Sequence, residues 1–74
     1  MAVVNVIELV ADSEESWEDA VRSAVAEASR TVRGITGVEV VNLTAQVDEG
    51  RIKAYRANVN VAFLVESGAP ARTR

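Results

Sequence analysis

The chain predicts a small α+β domain, a β-α-β-β unit with a three-stranded antiparallel sheet in the order 2-3-1 packed on one helix. Three observations lead there. A β-branched run opens the chain, VVNVIELVA at residues 3–11. An acid-rich start and a three- and four-residue apolar repeat follow, from Glu14 to Arg33. Two alternating stretches, residues 38–48 and 52–65, then flank Asp48-Glu49-Gly50-Arg51. The first pattern is a strand, the second a helix and the third a hairpin.

Each element has its own local cause. The first strand stops at Asp12-Ser13-Glu14-Glu15, where Asp12 or Ser13 can cap a helix and Glu15 can complete a capping box if Asp12 is the cap. Trp17, Ala20, Val21, Ala24, Ala28, Val32 and Ile35 form one apolar stripe, with Trp17 read as a core anchor rather than a ligand platform. Acids come early in the helix and arginines late, as the helix dipole favours, and Arg33-Gly34 is a stop.

In the second strand Val41, Leu43, Ala45 and Val47 share one face, opposite Val38, Val40, Asn42, Thr44 and Gln46. In the third, Tyr55, Ala57, Val59, Val61, Phe63 and Val65 alternate with Ala54, Arg56, Asn58, Asn60 and Ala62. A right-handed crossover through the helix joins the parallel, non-adjacent first and second strands and puts the third in the middle. Residues 1–66 are expected to form the domain and residues 67–74 a flexible tail, on the turn formers, charge and lack of period in ESGAPARTR.

Composition bounds the function. Seventy-four residues make a domain that buries only about 60% of its unfolded surface. There is no Cys and no His, which removes disulfides, zinc sites of the usual ligands, catalytic triads and imidazole acid-base chemistry. Paired carboxylates such as Glu14 and Glu18 lie one helical turn apart, but no partner orients them as a base, so the chain is not read as an enzyme. Eight basic against eleven acidic residues give a net charge of −3, which argues against nucleic-acid binding. No apolar run is long enough for a membrane span and no leader pattern opens the chain, so a cytoplasmic protein is expected. Hydrophobic residues are 49% of the chain, yet only three are aromatic. A core of Val and Ala, one uncovered sheet face and two free strand edges predict self-association.

The segments VIELVADSEESWEDAVRSAVAEASRT, GVEV and KAYRANVNVAFLVE, in this order and spacing, resemble the dodecin family over about residues 4–66. The resemblance implies a subunit assembled into a hollow dodecamer that binds flavins in pairs near subunit interfaces, for storage rather than turnover. It places the ligand pocket at Gly37, Val38 and Arg56. Flavin-binding members carry a stacking Trp where this chain has Gly37, and a Gln where it has Arg56. Gly offers no ring and Arg offers only donors and charge, so FMN and riboflavin are disfavoured. Without that Trp the chain is more similar to the calcium-dodecin subgroup. Calcium takes six to eight oxygen ligands, and Glu14, Glu15, Glu18, Asp19 and Asn42 offer such oxygens. Acids in a first helical turn are more often caps and dipole partners than metal ligands, and no EF-hand loop is present. Asn58, Asn60 and Arg56 are either a ligand surface or a solvated face, and Arg56 is free to pair with Glu39 or Asp48 of a neighbour or with an anion. The function expected is non-catalytic binding or storage of a small ligand or ion. The alternatives are a flavin store and a purely structural assembly.

Overall fold

The structure, a computed structural model, describes residues 3–65; the expected tail at 67–74 lies outside them. Strand β1 (Val3–Ser13) leads to helix α1 (Trp17–Ser29), then to strands β2 (Ile35–Asp48) and β3 (Arg51–Val65). The sheet order is β1-β3-β2 with both pairs antiparallel, as the sequence predicts. Glu49 and Gly50 both have positive φ, 54° and 78°, the signature of a two-residue type I′ hairpin loop.

The helix is shorter than its periodicity suggests, and both ends are set by polar groups. Ser13 stays in β1, and its Oγ accepts from the amides of Glu15 and Ser16 at 2.9 and 3.4 Å. That turn makes Ser16 the N-cap, its Oγ accepting the Asp19 amide at 3.0 Å. Neither Asp12 nor Ser13 is the cap, because both are held in the strand. At the other end, α1 stops at Ser29. The amides of Arg30 and Thr31 tighten onto Glu27 and Ala28 before the chain turns toward β2. Gly34 does adopt a positive φ of 75°, beyond the helix rather than at its cap. A Cβ there would stand 3.2 Å from the Leu64 carbonyl oxygen, so the close approach of this loop to β3 also demands glycine.

The buried core is Ala20, Ala24 and Ala28 of α1 against Ala57, Val59 and Val61 of β3, flanked by Ile7, Leu9, Ala11, Val21, Val32 and Ile35. Three alanines at four-residue steps let the helix lie close on the sheet. The core they make is thin, since the largest fully buried side chains are Val59 and Val61. Trp17 is not in it. The residue is 37% exposed, its ring meets the Tyr55 ring edge-on at 4.8 Å, and its Nε1 donates to the Thr44 carbonyl at 2.7 Å, tying the helix start to β2.

Register shifts in β2 correct the predicted faces. Val40 pairs with Val59 but Asn42 pairs with Asn58, so Val41 is an extra residue. A bulge of this kind puts two residues opposite one and resets the alternation. Directly opposed residues share a face. Val38 and Val40 therefore join Val61 and Val59 on the helix side, not the polar face with Asn42 and Thr44. Helix α1 lies mainly over β1 and β3, so Val38, Val40 and Leu43 remain 41–47% exposed. On the opposite face Val4, Val6 and Val10 are exposed as well. The missing core is thus on both faces of the sheet.

Candidate functional site

Cross-strand pairing arranges the open face, the one away from α1, in rows from β1 through β3 to β2. They read Val6–Ala62–Gly37, Glu8–Asn60–Glu39, Val10–Asn58–Asn42 and Asp12–Arg56–Thr44. An apolar end thus grades into a polar one. At the apolar end a recess of about 250 Å³ is lined by Val6, Gly37, Val38, Glu39, Asn60 and Ala62. Nothing lies within 4 Å of where a Gly37 Cβ would stand. The Asn60 amide donates to Glu39 Oε1 at 3.4 Å. One row on, the Asn58 Oδ1 is buried without a hydrogen-bond partner among the described residues.

Arg56 is spoken for within the subunit. Its Nε and Nη2 donate to the two carboxylate oxygens of Asp12 at 2.8 and 3.1 Å. This hydrogen bonding holds the Asp12 carboxyl below its ordinary range, helped by the charge attraction and opposed by desolvation. The same contact raises the Arg56 guanidinium. Arg56 also lies four residues along β3 from Asn60, about 13 Å at strand rise. Gly37 and Val38 therefore line the recess and Arg56 does not.

The proposed oxygen ligands do not gather within one subunit. Glu14 lines a second recess of about 320 Å³ with Asp12, Ser13, Gln46, Lys53 and Ala54. Glu15 points into solvent, and Glu18 pairs with Arg22 at 3.1 Å. The Asp19 carboxylate accepts from Ser13 Oγ at 2.7 Å. Asn42 is on the open face, opposite Asn58. Among the described residues no three Asp or Glu side chains come together as a metal site. This donor set does not fit a calcium ion without oxygens from elsewhere.

Sequence reasoning missed two contacts here. The Glu39–Asn60 pair was countable from the hairpin turn, because the extra residues Val41 and Lys53 cancel in the register. The Asp12–Arg56 pair joins residues 44 apart and had no local signal.

The comparisons agree with this geometry. The family model described as Dodecin matches residues 3–66. A dodecin from Thermus thermophilus is 35% identical over 60 residues, covering 81% of this chain and 87% of the relative. A crystal structure of a Thermus thermophilus protein superposes with a TM-score of 0.85 at 33% identity, over 89% of this chain and 97% of the other. The crystal structure of calcium dodecin from Mycobacterium tuberculosis, described as having a novel calcium-binding site, gives a TM-score of 0.74 at 32% identity, over 97% and 99% of the two chains. With a matching family model over all the described residues and the β-α-β-β subunit in place, this chain belongs to the dodecin family.

Proposed function

We propose that the chain is a non-catalytic storage or binding subunit of a hollow homododecamer, with its ligand held at the open sheet face and flavin stacking lost. The observation that carries this reading is Gly37. It lines the recess, and the space beside it holds no side chain. By the family resemblance this is where a flavin-binding member sets its Trp. Arg56, in the place of the family's Gln, has its donors turned to Asp12. Neither position offers a flavin what the relatives offer.

Twelve large apolar side chains stand exposed among the described residues, against a core of six small ones, and this supports assembly. Burying them between copies offsets what a thin core lacks, at about 25 cal/mol per Å². The net charge of −3 supports neither a nucleic-acid nor an anionic membrane partner. No helix among the described residues is long and apolar enough to cross a membrane. Light scattering tests the assembly, with a twelvefold particle expected and a monomer refuting it. Riboflavin fluorescence tests the ligand reading: no quenching at low micromolar protein is expected, and strong quenching refutes the loss of stacking.

A calcium-binding role is the second reading, favoured by the calcium-binding site described for the Mycobacterium tuberculosis relative. Glu14, Glu15, Glu18 and Asn42 are its candidate ligands here, and the set requires oxygens from more than one subunit. A rise in melting temperature with calcium, reversed by a chelator, supports it. No shift with any ion or ligand leaves the assembly itself as the function.

A further inference from the structure

We propose that the recess at Gly37 takes a small organic cation with a flat apolar body. This deepens the reading above and rests on the open face being the ligand site. The walls are apolar, with Val6 and Ala62 in one row beside the vacancy at Gly37. The polar groups at the other end are acidic. Glu39 lines the recess with its carboxylate against the Asn60 amide. Glu8 stands opposite Asn60 from β1, so two carboxylates flank one amide in a single cross-strand row.

Charge complementarity selects the occupant. None of the ion pairs among the described residues involves Glu8 or Glu39. The basic residue in the nearest row of the same face, Arg56, is about 13 Å along the strand and is paired with Asp12. Within one subunit an anion in the recess therefore meets the Glu39 carboxylate, with Glu8 in the same cross-strand row, and no basic side chain in the lining. A neutral ring system meets no aromatic partner. A cation with an apolar body gains from both ends, burying its body against Val6 and Ala62 and setting its charge by Glu39.

Two dyes whose planar tricyclic rings are of similar size separate charge from ring shape: proflavine, a monocation at neutral pH, and riboflavin, which is neutral. Fluorescence anisotropy of each is titrated with the full-length protein. Proflavine is expected to bind at least about tenfold more tightly than riboflavin and to weaken as salt rises to about 0.3 M. Glu39→Gln should weaken proflavine binding roughly threefold to tenfold, the double Glu8→Gln/Glu39→Gln variant more, with riboflavin unchanged. Glu27→Gln, on the helix beside Arg30, should change nothing. Circular dichroism and particle mass establish that each variant is folded, and the wild-type dye ratio and salt dependence stand without any variant. Equal affinity for the two dyes, or proflavine binding indifferent to Glu39→Gln, overturns the inference. Release of proflavine by calcium chloride but not by sodium chloride of equal ionic strength overturns it in favour of a metal ion. Tight riboflavin binding refutes the broader reading too. A calcium-raised melting temperature without proflavine binding overturns only this one.

Discussion

Arg56 of β3 clasps Asp12 of β1 through two parallel hydrogen bonds, 2.8 and 3.1 Å long, across the open face of the sheet. Two sequence readings meet in this pair: Asp12 as a helix cap and Arg56 as a cation free for a neighbour or an anion. The fold withdraws both residues from those roles and spends them on joining β1 to β3.

The pair makes stability depend on acid. Asp12 has a lower carboxyl pKa folded than unfolded, so the unfolded chain binds more protons as pH falls. Its contribution is fully present above the ordinary carboxylate range and is lost as pH falls through the lowered folded value. Arg56→Gln should therefore melt below wild type near neutrality, with the gap narrowing through pH about 4 and closing at lower pH. Thermal melts across pH check this. A gap that persists below the folded pKa would assign the loss to packing.

A ring placed at Gly37 should supply a stacking surface. The position has ordinary φ and open space, so Gly37→Trp is expected to fold. An aromatic contact contributes about 0.5–1.5 kcal/mol, or roughly a twofold to tenfold gain in riboflavin affinity. Fluorescence quenching by wild type and variant at matched concentration measures it.

Ser16, not Ser13 or Asp12, caps α1. Ser16→Ala should destabilise by about 1 kcal/mol, while Ser16→Asp should hold stability near wild type. Denaturant unfolding of both variants tests the assignment.

Glu49 occupies a left-handed conformation at the hairpin, where Asn-Gly is preferred over Glu-Gly. Glu49→Asn should stabilise by about 0.5–1 kcal/mol, because Asn reaches this region at less steric cost. An unchanged melting temperature would mean that the turn is already relieved elsewhere.

Val40 is a probe of assembly. It lies on the helix side of β2, beyond the cover of α1, and is 45% exposed. Val40→Asp should leave the subunit fold intact and lower the particle mass, since a desolvated carboxylate costs several kcal/mol at an apolar contact. Light scattering with circular dichroism reads both outcomes, and an unchanged mass would place the subunit contacts elsewhere.

Local patterns determined much of this protein. The β-branched runs, the alanine and valine stripe, and Gly50 at the turn set the order of elements, and strand alternation along β3 put Ala57, Val59 and Val61 inward with Arg56, Asn58 and Asn60 outward. The family, too, was legible, because its segments follow one another in order and spacing. What the sequence could not carry was anything decided between distant residues. Whether Val40 faces the helix depends on the extra residue at Val41, and a bulge is fixed by the pairing partner rather than by the strand itself. Where α1 begins depends on Ser13 remaining in a strand paired with Tyr55, 42 residues away. The recess at Gly37 draws its walls from all three strands. Side-chain period is a property of one segment; register, caps under competition and the shape of a shared face exist only once segments have met.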